Sequence, residues 1–292
     1  MDVSVIIVNY KTPQLCIDCI NSVIEKTVNI DYEIIVVDND SQDNSLQKIK
    51  EEFGNRVVLI DAGENLGFGK ANNLGAERAK GDILFFLNPD TLLINDAITI
   101  LYEYLISHPK VGICGGQLYN KDLQKIHSYS MCLPGIICDV DNATKGKISN
   151  IVHLFSRKCH KVGHVTGADL MISKHLFDKL KGFDPDFFMY YEETELCYRC
   201  KKKGYEVRFV PDAKIIHLVG QSLEYSPRKV EIIYEGRKTF FTKTTSKYHK
   251  YVIDQFYILL CYMAHNIYSL FNKKKSIKYK HNIEIYKKIN GC

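Results

Sequence analysis

The sequence predicts an α/β fold with a mostly parallel central sheet and helices on both faces. Three observations predict it. Largely apolar runs at Val3–Val8, Glu33–Val37 and Ile83–Leu87 read as strands buried on both faces. Helical stripes separate them at the spacing that right-handed crossovers need. Each run ends in a polar cluster, at Asn9–Tyr10, Asp38–Ser41 and Asn88–Asp90, and ligands of open parallel sheets gather at such strand ends.

After the first strand, Pro13 sits where a helix tolerates proline, and Leu15, Cys19, Val23 and Ile24 form an apolar stripe. The second strand stops at Asp38. Ser41 and Asp43 are cap candidates for a helix whose apolar face is Leu46, Ile49 and Phe53. A third strand covers Val57–Ile60, and the glycine-rich Gly63–Gly69 leads into a helix ending near Gly81. The fourth strand, Ile83–Leu87, terminates at Asn88-Pro89-Asp90.

Beyond Gly116 the pattern loosens, and Tyr119 to Val162 reads as long loops bordering a cleft. Order returns with a strand at Gly167–Ile172, a helix, and the aromatic cluster Phe187–Tyr191. A helix through Glu195–Lys203 ends at Gly204, followed by a short strand at Val207–Val210. From Tyr225 the chain reads as helical and increasingly basic. The expected organisation is a domain at 1–225, divided into 1–100 and 101–225, with a helical extension at 226–292.

At 292 residues, 46% hydrophobic and 25% charged, the composition is that of a globular protein with a sizeable core. A net charge of +5 is too small for a dedicated nucleic-acid binder. No basic leader precedes the first strand, and the apolar stretch Tyr251–Phe271 is interrupted by Asp254, Gln255, His265 and Asn266. The expectation is therefore a cytoplasmic protein with no membrane span. Cys16-x-x-Cys19 and Cys197-x-x-Cys200 outline a four-thiolate zinc site, but both pairs lie in helical stripes where reduced core cysteine is the simpler reading.

Asp38, Asp90, Glu192, Glu193 and His217 are the central chemical candidates. Acids at strand ends suit a diphosphate ligand, because a hard divalent cation with oxygen ligands can mediate between the two anions. The same residues also make turns and helix starts, since Asn, Pro and Asp favour turns and an acidic first turn complements the helix dipole. Local spacing leaves both readings open.

Four segments taken together resemble glycosyltransferase family 2, in its rhamnosyltransferase-like branch with the GT-A fold. They are Val3–Tyr10, Val36–Ser41, Asn65–Gly69 running on to Leu87–Asp90, and Gly182–Asp184 through Tyr191–Leu196 to Pro211-Asp212 and Ile216-His217. The resemblance implies an inverting transfer of a sugar, rhamnose first among candidates, from a dTDP- or UDP-linked donor to a glycan or lipid-linked acceptor in surface-polysaccharide assembly. It implies that Val8 and Tyr10 edge the base pocket, that Asp38 or Asn39 bonds the base, and that Asn65 and Asn88 serve the donor. Asn88-Pro89-Asp90 is similar to the family's Asp-x-Asp element, with Asn at the first acid. Asp90 and His217 are then the ligands of Mg2+ or Mn2+. Glu193 stands where the family has its catalytic base, usually Asp, with Glu192 beside it. Asp169 is expected to line the sugar or acceptor pocket, or else to cap a strand end.

Two further readings stand beside this one. A nucleotidyltransferase normally carries a glycine-rich basic loop after its first strand, which Asn9–Pro13 lacks. A non-catalytic nucleotide-sugar binder fits Asn88 and the longer side chain of Glu193. Lys273, Lys274, Lys275, Lys278 and Lys280 follow the Tyr251–Phe271 segment, as expected of a solvated tail or of attachment to the inner, anionic face of the cell membrane. The amphipathic segment could also pair with a second copy.

Overall fold

The computed structural model describes residues 1–143, 159–218 and 227–291. Strands β1 (Val3–Asn9), β2 (Tyr32–Asp38), β3 (Val58–Asp61) and β4 (Ile83–Leu87) run parallel, in the order β3-β2-β1-β4. Three helices link them: α1 (Pro13–Lys26), α2 (Ser45–Phe53) and α3 (Phe68–Arg78). The sheet continues through β10 (Asp169–Ser173), β6 (Val111–Tyr119), β11 (Glu206–His217) and β5 (Thr91–Leu93). β10 is antiparallel to both β4 and β6, which puts its first residue, Asp169, beside Leu87 at the end of β4.

Strand alternation divides the core in two. Val3, Val5 and Ile7 of β1 enter one cluster with α1, α2 and α4 (Ala97–Ser107). Ile6 faces the other, with α3, α6 (Lys174–Lys179) and α7 (Glu192–Lys202). Alternate side chains of β1 are thus fitted to different clusters, and a one-residue slip would exchange them. Cys16 and Cys19 lie in the first cluster and Cys197 and Cys200 in the second, with the sheet between. The two pairs cannot converge on one zinc ion. Burial pushes the thiols of Cys19 and Cys200 up to about 12.

Several elements differ from the expected boundaries. α2 starts at Ser45 with Asn44 at its cap, because the Ser41 hydroxyl is bonded to Asp38 instead. Asp43 accepts the Ser45 N–H at 2.8 Å. β11 extends to His217 because a bulge between Val210 and Lys214 absorbs Pro211, which has no N–H for the ladder. The Tyr119–Val162 stretch contains β7 (Tyr129–Ser130) and α5 (Ile136–Ala143). Residues 144–158 of that expected loop region, and 219–226 at the expected domain boundary, lie outside the described residues. β8 (His160–Lys161) pairs β11, and β9 (His164–Val165) pairs β7.

Helices α8 (Pro227–Thr244), α9 (Lys247–Phe271) and α10 (Lys273–Asn290) pack through Val230, Tyr234, Ile258, Ile285 and Tyr286. Among the contacts that join them to the rest of the chain, two are buried side-chain clusters. Phe240 and Phe241 of α8 cluster with Phe187, Tyr191 and Tyr198. Arg237 of α8 makes a buried bidentate pair with Asp139 of α5, at 2.9 and 2.7 Å. No helix among the described residues is long and apolar enough to cross a membrane.

Candidate active site

The parallel strand ends build the first wall. Asn9 and Asp38 are register partners, and Asn9 Nδ2 donates to Asp38 Oδ2 at 2.7 Å. Ser41 donates to the same carboxylate twice, from its N–H at 2.9 Å and its hydroxyl at 2.7 Å. Ser41 Oγ in turn accepts the Lys11 N–H at 2.9 Å. Asp38 is therefore the hub of a buried turn. Asn39 accepts the Leu66 N–H at 2.9 Å and donates to Asn65 Oδ1 at 3.1 Å, tying β2 to the glycine-rich loop. Val8 is buried beneath these turns, whereas the Tyr10 ring is 42% exposed at the edge. Asn9 and Ser41 had no functional reading in the sequence. The signal available was only their place beside Tyr10 and Asp38.

The second wall follows β4. Asn88 donates its N–H to Ala168 O at 3.0 Å, and its own carbonyl accepts the Thr91 hydroxyl at 2.7 Å. Its side-chain Oδ1 is buried without a partner. Antiparallel pairing of β5 with β11 sets His217 opposite Thr91, and this brings His217 Nε2 to 3.3 Å from Asp90 Oδ1. Leu218 N–H bonds Asp90 O at 2.8 Å and fixes the same corner. The described residues contain no group of three or more His, Cys, Asp and Glu side chains fit for a metal. Asp90 and His217 form a pair, and the unpartnered Asn88 oxygen is the nearest addition on the same turn.

The third wall is the start of α7. Tyr190 and Tyr191 both take left-handed backbone, with φ of 67° and 73°, and they turn the chain into Glu192. Two non-glycine residues so placed cost about 1–3 kcal/mol each, and such strain collects at functional sites. Glu192 is buried, with Oε2 lacking a partner. Glu193 is half-buried and accepts the Thr194 hydroxyl at 2.9 Å. Burial pushes both carboxyls above the usual range, and Glu192 is driven further by the charge of Glu193. Glu195 takes no part, because Arg199 occupies both its oxygens at 2.6 to 2.8 Å.

These walls meet. A Cβ built on Gly167 would lie 3.6 Å from Glu193 Cβ, and the next residue, Ala168, is the one that Asn88 bonds. A Cβ on Gly69 would lie 3.6 Å from Glu192 Cβ. The acidic pair, the Asn88–Asp90 turn and the start of α3 thus share one end of the sheet. Asp169 is there but wholly buried, accepting from Gly116 N–H and from the Thr166 hydroxyl at 3.3 Å. It takes the strand-end role of the two expected for it.

The strained turn is held from two sides. Phe68 N–H bonds Phe188 O at 2.8 Å, and a side chain on Gly67 would collide with that carbonyl at 2.2 Å. On the other side α8 presses Gly236 against the Tyr190 carbonyl, which a Cβ would meet at 2.6 Å. Arg237 also interacts with Tyr191, and Lys243 pairs with Asp184 and Asp186 at 2.6 Å each. No sequence period announced Gly236 or Arg237, since the contacts cross about forty residues.

Comparison with known proteins bears on this arrangement. The profile of Glycosyl transferase family 2 matches residues 4–180. The chain is 29% identical over 206 residues to the dTDP-rhamnosyl transferase RfbF of Shigella flexneri, covering 69% of this chain and 64% of that one. It thus spans under two thirds of that relative's length. It is 25% identical over 213 residues to an N-acetylglucosaminyl-diphospho-decaprenol L-rhamnosyltransferase of Mycobacterium tuberculosis, covering 66% of this chain and 69% of that one. A mannosyltransferase of Pyrobaculum calidifontis, solved in complex with GDP-Man and Mn2+, superposes with a TM-score of 0.67 at 14% identity. The superposition covers 98% of this chain and 86% of that one, and the shared fold is GT-A. With its sheet, strand-end turns and matched profile, the chain belongs to glycosyltransferase family 2.

Proposed function

We propose that this chain is an inverting glycosyltransferase. It moves a sugar from a nucleoside-diphosphate donor to an acceptor hydroxyl during surface-polysaccharide assembly. The supporting observation is that Glu193 lies beside Gly167, whose neighbour Ala168 accepts the Asn88 N–H at the turn carrying Asp90, itself 3.3 Å from His217. The names of the two rhamnosyltransferase relatives make dTDP-rhamnose the first donor to test, with UDP sugars next. The decaprenol-linked substrate in one of those names supports a lipid-linked acceptor, reached from the cytoplasmic face of a membrane.

Tyr10 offers an exposed ring for stacking on the base, with Val8 behind it. Asp38, Asn39 and Asn65 act by fixing the loops around that ring. Asp90 and His217 would hold a divalent cation, Mg2+ or Mn2+, and the orphaned Asn88 Oδ1 suits either that cation or a donor hydroxyl. Oxygen and imidazole donors fit such an ion, which when bound would neutralise charge on the leaving diphosphate. The Mn2+ complex of the Pyrobaculum mannosyltransferase supports the assignment.

Glu193 accepts the proton of the acceptor hydroxyl while that oxygen bonds to the anomeric carbon. The bond from this carbon to the diphosphate oxygen breaks on the opposite side, so configuration inverts and no enzyme nucleophile is needed. Glu192 stands beside it, buried with Oε2 unpartnered, and offers a further hydrogen-bonding group next to the base.

A panel of nucleotide sugars, assayed for cation-dependent turnover and thermal stabilisation, tests the reading. Glu193→Gln should lose about 100- to 10,000-fold in kcat while keeping nucleotide affinity. Glu192→Gln, which copies the neutral form, should stay within about tenfold. Equal losses in both variants, or donor binding with no turnover in the parent, would refute the assignment.

A further inference from the structure

Helix α9 is 25 residues long, about 37 Å at 1.5 Å per residue, and only one side of it is packed. Asp254, Ile258 and Cys261 face inward. The opposite side carries Val252, Leu259, Met263, Ile267, Leu270 and Phe271, at helical spacing and exposed by up to 80%. Tyr248, Tyr251 and Tyr262 flank this stripe, also exposed. At the start of α9 the apolar surface runs on into a groove of about 350 Å³ between Val252, Ile253, Ile136 and Ile137. Apolar surface of this extent on one helix face marks an interaction site.

Charge identifies what covers it. From Lys247 to Lys280 the sequence has a single acid, Asp254, which is buried and bonded by Lys250 and Tyr286. One end of the stripe carries exposed Lys247, and the other carries exposed Lys273, Lys274 and Lys275, with Lys278 and Lys280 beyond. A second copy docked along the stripe in either direction would bring cation against cation. An anionic lipid surface satisfies both features, because acyl chains accept the apolar side chains and headgroup phosphates accept the lysines.

We infer that the outer face of α9 is a docking surface for an anionic membrane. The helix lies in the interface plane, with Leu259, Met263 and Leu270 at the acyl boundary and Lys273, Lys274 and Lys275 at the phosphates. The surface is argued without the transferase reading, and its test reads lipid binding alone. The full chain should float with vesicles containing phosphatidylglycerol and far less with vesicles of phosphatidylcholine only. Replacing Lys273, Lys274 and Lys275 together by Gln should lower partition by roughly a hundredfold. The triple variant Leu259→Gln, Met263→Gln, Leu270→Gln should lower it at unchanged charge. The chain has no tryptophan, so Phe271→Trp supplies a single reporter whose emission shifts to the blue on insertion. That conservative variant keeps the test open if the triple variants fold poorly. Three outcomes would overturn the inference: no flotation with anionic vesicles, no blue shift, or a parent dimer that the apolar triple variant dissociates. The last would assign the stripe to a second copy.

Discussion

Gly236 lies in mid-helix of α8, where glycine costs about 0.5–1 kcal/mol relative to alanine, so the structure must need it there. Gly236→Ala adds one carbon 2.6 Å from the Tyr190 carbonyl oxygen and 3.2 Å from Tyr191 Cδ2. A carbon–oxygen contact settles at about 3.3–3.6 Å, so the turn and α8 must part by roughly 0.7–1 Å. That turn delivers Glu193, the proposed base, and a displacement of about 1 Å at such a group costs on the order of 100-fold in rate. Overpacking costs about 1–3 kcal/mol and the helix regains about 0.5–1, so folding should weaken by at most about 2.5 kcal/mol. The expected outcome is a 10- to 100-fold lower kcat with donor KM within about threefold of the parent. Steady-state kinetics and a urea melt read these quantities independently. Parental kcat, or a loss fully explained by a raised donor KM, would refute the idea that α8 sets the position of the base.

Four other outcomes follow from the structure. The base must be ionised to work and burial raises Glu193, so kcat/KM should fall as pH drops through an apparent value above the ordinary glutamate 4.5. An acid limb at or below that value contradicts the assignment. The same raised carboxyls bind protons more tightly folded than unfolded, so stability should decline as pH rises across that interval, and Glu192→Gln should flatten the decline in thermal melts. Asp90→Asn should weaken Mn2+-dependent nucleoside diphosphate binding by about 10- to 100-fold in calorimetry, leaving the cation-free component unchanged. Arg237→Ala should cost about 3–5 kcal/mol in denaturant, because it strands the Asp139 carboxylate in a buried site. Pairing it with Asp139→Leu should recover much of that loss.

What could be read in the sequence was whatever has a short period or a contiguous motif. β4 was found to the residue because five apolar side chains in a row, buried on both faces, have no other economical reading. α1 was marked at its first residue by Pro13. Asp90 and His217, far apart in the chain, were named together only through resemblance, since no local pattern relates them. The Asn9–Asp38–Ser41 turn was misjudged in detail. A helix cap and a strand-end acid look alike until the register of β1 on β2 sets Asn9 beside Asp38. Gly236 and Arg237 lay beyond reach for a different reason. Their importance comes from what docks on them, and a lone glycine or arginine in an amphipathic helix does not announce its partner.

The grip of α8 on the turn before Glu192 has a consequence for the order in which the protein becomes competent. Strands β1 to β4, with the turns at their ends, emerge from the ribosome early and are close in sequence. Gly236 and Arg237 follow the acidic pair by more than forty residues, enough to keep them inside the exit tunnel while Glu193 is already outside. A nascent chain can therefore form the strand-end turns before the Tyr190–Tyr191 turn is held, and on the proposed reading the base is positioned only once α8 has been made.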